Sequence, residues 1–337
     1  MISLLLPLAF TIACEPGKTA SEEATPELAG STEDSGGDEP DAETGDGSTD
    51  SEVGTTGETG EVEDSDDPNE LLFDALITIT EPMTGDLSCY RPGTDCWEMR
   101  AYEDCVNSRE VVGVVLDGAT NAAIPQASVD VFWDDAIGDA PDTTLVADSE
   151  GRVSDKTLPT CVPLTWRISG DPELTVPALY AHQVFPPSDG EIDAVFQAVS
   201  TETMTALATN LGLELDPALG MVTGRIVDCV NAPLAMTQVI ARDAEGNYPA
   251  SQTTHYFVGD TPDAHQPHTS EDGRWLIAGL PPGSYQVDVW GFFETLDEHM
   301  WMSFSQLDVV AGGISSVELR IEIAGPIFPD DCLVSCD

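Results

Sequence analysis

The chain has 337 residues and a mass of 35.8 kDa, and its 62 Asp and Glu against 11 Lys and Arg give a formal net charge of -51 and a pI near 4.1. That charge excludes nucleic acid as a partner, because phosphate binding needs a basic face that releases counterions. The length suits about two domains of roughly 150 residues, and 41% hydrophobic residues with 29 Gly and 24 Pro point to a loop-rich β protein with real cores.

Residues 1–13, MISLLLPLAFTIA, form one apolar stretch with the length of a signal-peptide core, too short for the roughly 20 helical residues that span a bilayer. It ends at Ala13-Cys14, where acidic sequence begins at once. The Thr11-Ile12-Ala13-Cys14 stretch resembles a bacterial lipoprotein lipobox. The resemblance implies diacylglycerol on the Cys14 thiol, cleavage before it, and attachment to the membrane through that lipid. Glu15 after the cysteine, in place of an inner-membrane-retaining Asp, favours the outer membrane of a cell envelope. An ordinary secretory signal with an incidental Cys14 is the alternative.

Residues 14–70 read as a disordered acidic linker, with 20 acidic residues, a single lysine at Lys18 and almost no large apolar side chain. Such a stretch cannot bury enough surface to offset its ordering entropy. It lacks a D-x-[DN]-x-[DN]-G loop, so its acidity does not specify a calcium site. From Leu71 onward, 42 acidic residues face 10 basic ones, and the folded part is acidic in its own right.

Residues 71–199 are assigned to a cysteine-rich leader and a first β-sandwich, 200–215 to a connecting helix, 216–325 to a second sandwich and 326–337 to a tail. The strand signal is period-two alternation: Val129, Val131 and Trp133; Tyr285, Val287 and Val289 against Gln286 and Asp288; Val317, Leu319 and Ile321 against Glu318 and Arg320. Turn signals at Glu150-Gly151, Glu245-Gly246-Asn247 and Asp272-Gly273 separate the strands, so the expected class is all-β, with two tandem antiparallel seven-strand-type sandwiches. The helix is expected from Met204, Leu207, Ala208 and Leu211 on one stripe, with Ser200 as N-cap and Gly212 as stop.

The two sandwiches are copies of one unit. The first runs from Gly113-Val-Val-Leu-Asp117 through Glu150-Gly151-Arg152 to Leu158-Pro159, and the second from Gly224-Arg-Ile-Val-Asp228 through Asp272-Gly273-Arg274 to Leu280-Pro281, with seven residues from turn glycine to Leu-Pro in both. The second copy, TSEDGRWLIAGLPPGSYQV, resembles the carboxypeptidase regulatory-like family. That resemblance implies a transthyretin-like, carbohydrate-binding-like sandwich used as an accessory, spacer or binding module, without a cofactor. The first copy has Ala123 where Pro233 stands and Cys161 where Gly283 stands, and is expected to need its cysteine-rich leader.

Export should oxidise cysteines. The candidate bridges pair Cys89 with Cys96, Cys332 with Cys336, and Cys105 with Cys161, which leaves Cys229 over. His255, His265 and His268 share one excursion between strands and form the one candidate metal set, a basis for an alternative reading as a metal-dependent hydrolase. No H-E-x-x-H, G-x-S-x-G or P-loop motif occurs. The candidate ligand surface is Trp290, Phe292, Phe293 and Trp301, more aromatic area than one strand easily buries, suited to sugar rings or to side chains of an envelope protein, or else to sealing the interface between the two modules or a sandwich edge. The expected function is that of a lipid-anchored, non-catalytic envelope protein with binding or structural modules, with a passive spacer or assembly subunit as a further alternative.

Overall fold

The computed structural model describes residues 73, 75–88, 107–133, 137, 140–187, 190–259, 261–294 and 296–321. The signal segment, Cys14, the acidic linker, the C-terminal tail and Cys89, Cys96, Cys105, Cys332 and Cys336 lie outside these residues. The described residues form an all-β molecule with one short helix between two sandwiches. The first copy supplies β1 (Ser108–Asp117), β2 (Ser128–Trp133), β3 (Thr143–Val146), β4 (Arg152–Pro159), β5 (Pro163–Ser169), β6 (Thr175–Val176), β7 (Ala178–Val184) and β8 (Ile192–Ser200). After helix α1 (Thr201–Leu211), the second supplies β9 (Gly220–Val227), β10 (Thr237–Asp243), β11 (Thr253–Val258), β12 (Thr261–Asp263), β13 (Arg274–Leu280), β14 (Gly283–Phe293), β15 (Glu298–Val309) and β16 (Ile314–Arg320).

Most pairings are antiparallel, but the first and last strands of each copy run parallel, β1 with β8 and β9 with β16. The intervening strands act as the long crossover that a parallel pair requires. Alternation places Val111 and Val115 of β1 and Phe196 of β8 in the first core, and Val287 and Val289 of β14 in the second. Trp133 departs from its expected face. It is 44% exposed, whereas its neighbour Phe132 is buried, because β3 pairs with β2 only as far as Val131 and the strand end loses its cover.

The repeat holds down to single hydrogen bonds. Val115 N donates to Gly151 O as Ile226 N does to Gly273 O, and Asp117 N donates to Ala122 O as Asp228 N does to Ala232 O, within 2.8–2.9 Å in every case. The isolated bridges Leu116 to Ala123 and Val227 to Pro233 match as well. Asn121 and Asn231, then Gln126 and Met236, occupy the left-handed region at φ between 56 and 61°. The turn glycines Gly151 and Gly273 sit at φ 78° and 67°, a region where other residues are strained.

A single nine-stranded sheet runs through both copies in the order β12-β11-β13-β9-β16-β7-β5-β2-β3, and the join is the parallel pairing of Ile314–Ser316 with Ala178–Tyr180. Sheets β4-β1-β8-β6 and β10-β14-β15 complete the two sandwiches. Strand β13 serves two cores: Trp275, Ile277 and Leu280 fill the second, while Leu276 and Ala278 join the first. Helix α1 adds Met204, Leu207 and Leu211 to that first core. Ser200 Oγ accepts from Thr203 N at 3.0 Å, and Gly212, at φ 67°, closes the helix by donating to Ala208 O and Thr209 O. Both caps are those the sequence predicts.

The described part of the leader lies against the second sandwich. It makes a helical turn, with Ile77 N donating to Phe73 O at 2.9 Å, then runs extended past Gln238 of β10, and further on its Met83 and Leu87 pack against the second core. Ile77 and Ile79 are buried at 4% exposure, while Thr78 and Thr80 between them are exposed.

Candidate functional site

The expected ligand surface falls on β14 and β15. In β14 the residues facing the core are Tyr285, Val287 and Val289, so Gln286, Asp288 and Trp290 face outward. A bulge after Val289 sets Trp290 opposite Trp301 of β15. Phe73 of the leader packs edge-on against Trp290 at 4.8 Å and lies 6.1 Å from Tyr248, so Trp290 is a seat for the chain's own leader. Phe292 stands edge-on to His299 at 5.7 Å, and Phe293 packs against the second core. Trp301 stacks on Phe304 with centroids 5.1 Å apart and donates from Nε1 to Asp288 Oδ1 at 2.9 Å. The four rings are half-buried, not open.

Asp288 centres the polar part of this face. Its side chain is 1% exposed and pairs with Arg242 Nε at 2.8 Å, while Gln286 Nε2 donates to it at 2.7 Å. Burial pushes the carboxyl above its ordinary range, and the donors Gln286, Arg242 and Trp301 offset this only in part. Burial likewise raises Tyr248, and the Asp288 charge adds to the rise.

Leader residues complete the site, and they were not among the candidates. The side chain that holds them is Gln238 of β10. Its Oε1 accepts from Thr78 N and Ile79 N, each at 2.8 Å, and its Nε2 donates to Pro267 O at 2.8 Å. The signal available in the sequence was the apolar run at 71–79, with Ile77 and Ile79 at strand spacing directly after the acidic linker.

The three candidate metal-ligating histidines have separate neighbours. His255 lies on β11, 3.3 Å from Thr253 Oγ1, and burial lowers its pKa. His265 is 96% exposed and 3.5 Å from Asp263. His268 contacts the Thr269 carbonyl at 3.0 Å and reaches leader Glu81 at 3.8 Å. Among the described residues no group of three His, Cys, Asp or Glu side chains is placed to hold a metal ion, and no helix is long and apolar enough to cross a membrane. Cys161 is disulfide-bonded, and so is Cys229, the cysteine that spacing left over. A cleft of about 190 Å³ between α1 and the start of β9 is lined by Val176, Met204, Leu215, Leu219 and Met221.

The sequence matches no protein-family model. No curated protein matches it. Among solved structures, the Bacillus anthracis TIE protein is 14% identical with a TM-score of 0.22, and the alignment covers 64% of this chain and 34% of that one. The shaft pilin SpaA of Lactobacillus rhamnosus GG is 8% identical over 66% of this chain and 100% of its own, with a TM-score of 0.21. Chlorocatechol 1,2-dioxygenase from Pseudomonas putida is 15% identical over 40% of this chain and 78% of its own, with a TM-score of 0.20. Likenesses this distant leave the function to the chain's own residues.

Proposed function

We propose that the chain is a lipid-anchored cell-envelope protein whose two carboxypeptidase regulatory-like sandwiches serve a non-catalytic structural or binding role. The observation that carries this reading is the nine-stranded sheet, which joins the two copies by backbone hydrogen bonds and gives them no flexible linker at which to hinge. Two sandwiches fused in this way make a stiff spacer. The buried carboxylates support the same reading, because Asp117, Asp228 and Asp288 are bonded to turn amides, a helix cap, the leader and an arginine.

The anchor is Cys14 after Thr11-Ile12-Ala13, the acidic stretch from Glu15 is its tether, and Glu15 itself favours the outer membrane. Carbohydrate and envelope proteins are the partner classes that suit the Trp301–Phe304 stack. Acyl labelling and membrane fractionation of Cys14→Ser test the anchor: the variant should lose label and leave the membrane fraction, and retained label refutes it. A hydrolase screen of the purified chain with added divalent metals should show no turnover, and turnover that scales with enzyme concentration refutes the non-catalytic role.

A further inference from the structure

We infer that the cleft between α1 and the start of β9 is a binding site for a small neutral aliphatic alcohol of about six carbons. The site is separate from the Trp301–Phe304 stack and does not depend on the anchor. Its first qualification is that it is preformed. The walls come from stretches of chain tied to one another by backbone hydrogen bonds: Thr201 N donates to Leu174 O at 2.9 Å, Gly312 N to Leu219 O at 2.8 Å, Met221 N to Gly313 O at 3.1 Å and Ile314 N to Pro177 O at 2.9 Å. A frame bonded in this way holds the space open, so a ligand meets a site already shaped for it.

The lining sets the aliphatic part of the ligand. Val176, Met204, Leu215, Leu219 and Met221 present alkyl and thioether groups, and Leu215 is 40% exposed. Methionine adapts to the shape of what it meets. Water gains little in such a place, because a well-held water needs roughly two to four polar partners. Two polar groups of the wall are already engaged, Thr205 Oγ1 with Thr201 O at 2.7 Å and Asp216 Oδ1 with Ala218 N at 2.9 Å. At roughly 30 Å³ for each water-sized group, the cleft of about 190 Å³ takes about six carbons. The acyl chain of a bilayer lipid is longer than that and would leave buried methylenes behind in the membrane, so the ligand is a free small molecule.

The polar part of the ligand follows from Thr201. Its hydroxyl, on a residue of the cleft wall, is buried and has no hydrogen-bond partner among the described residues, a state that costs stability until a partner meets it. A hydroxyl both donates and accepts, which suits it to an alcohol. Asp216 in the same wall disfavours a carboxylate head, as does a net charge of -51 on the chain. The class is therefore a neutral alcohol and not a fatty acid.

The test uses the full chain, labelled with carbon-13 at its methionine methyl groups and titrated with straight-chain alcohols. 1-Hexanol should shift the signals of Met204 and Met221, assigned through Met204→Leu and Met221→Leu, in a saturable way with a Kd on the order of 1 mM. Affinity should rise about fourfold for each carbon from 1-butanol to 1-hexanol and then level off, because further carbons lie outside the cleft. A steady gain through 1-nonanol would be general partitioning onto apolar surface and overturns the inference, as does the absence of a shift at both methyls. Thr201→Val keeps the shape of the side chain and should weaken 1-hexanol about fivefold while leaving 1-chloropentane unchanged. Equal effects on the two probes overturn the assignment of an alcohol. Hexanoate at neutral pH should bind at least about tenfold more weakly than 1-hexanol, and equal affinity would overturn the neutral class.

Discussion

The two sandwiches use the same aspartate in two ways. At the end of β1, Asp117 Oδ1 accepts from Ala119 N and Thr120 N, and at the end of β9, Asp228 Oδ1 accepts from Val230 N and Ala232 N. One oxygen therefore ties down the turn in each copy. The other oxygen ties down whatever covers the copy. Asp117 Oδ2 accepts from Ser200 N at 2.9 Å, fixing the start of α1, whereas Asp228 Oδ2 accepts from Asp86 N at 2.8 Å and fixes the leader. Both side chains are buried at 1–2% exposure, so each bond forms in a setting where an unmet partner is costly. The comparison shows how a duplicated unit diverges: the turn stays, and the second oxygen is reassigned to a new neighbour.

The largest effect should come from removing these carboxylates. Asp117→Ala should lose about 4 kcal/mol, since it strands turn amides and the helix start together, and Asp228→Ala about 3 kcal/mol. Urea unfolding measures both. Asp228→Ala alone should also change the fluorescence of Trp290 by loosening the leader over it, and equal spectra in the two variants would refute the division of roles.

The turn glycines sharpen the comparison. An alanine at 273 would bring its Cβ against Ile226 O, while at 151 the nearest atoms, Val115 O and the Ala123 Cβ, are 3.0 Å away. Both positions have positive φ, so Gly273→Ala should cost about 3 kcal/mol and Gly151→Ala about 1–2 kcal/mol by thermal unfolding. A larger loss at 151 would mean that the first turn has less freedom to yield than its contacts indicate.

The smallest effect is on the acid limb of stability. Burial pushes the Asp117 carboxyl up, but bonds from Thr120 and Ser200 outweigh it and leave the group below its ordinary value. The stabilisation from ionised Asp117 is present above the unfolded pKa, near 3.9, and is lost as pH falls through the lower folded value. Asp288 has the opposite sign. Its folded pKa is raised, so the native state takes up its proton first and gains relative stability as pH falls through that raised value. Between neutral pH and pH 3, Asp117→Asn should therefore flatten the loss of stability and Asp288→Asn should steepen it, as read from urea midpoints at each pH.

Local signals were enough for much of this fold because they depend on near neighbours in the chain. Ser200 and Gly212 bound α1 through their own backbone and side-chain geometry. Gly151 and Gly273 mark turns that need positive φ, and the shared seven-residue spacing from each turn glycine to its Leu-Pro pair showed the duplication. Alternation put Trp290 on the face opposite Val287 and Val289.

What covers each face was a matter for tertiary structure, since a strand's period states that a face is apolar but not against which partner. The apolar run Trp275 to Leu280 has both faces buried because one serves each core, and no local rule distinguishes that from an ordinary core strand. The same holds for the join of β16 to β7 and for Ile77 and Ile79, whose partners lie more than 100 residues along the chain. Sequence by itself determined the two copies, their turns and their inward faces. Only the packed chain decided that the copies share a sheet and that the leader closes over the aromatic face of the second, because contacts between distant segments are set by which apolar surfaces remain uncovered once the local elements have formed.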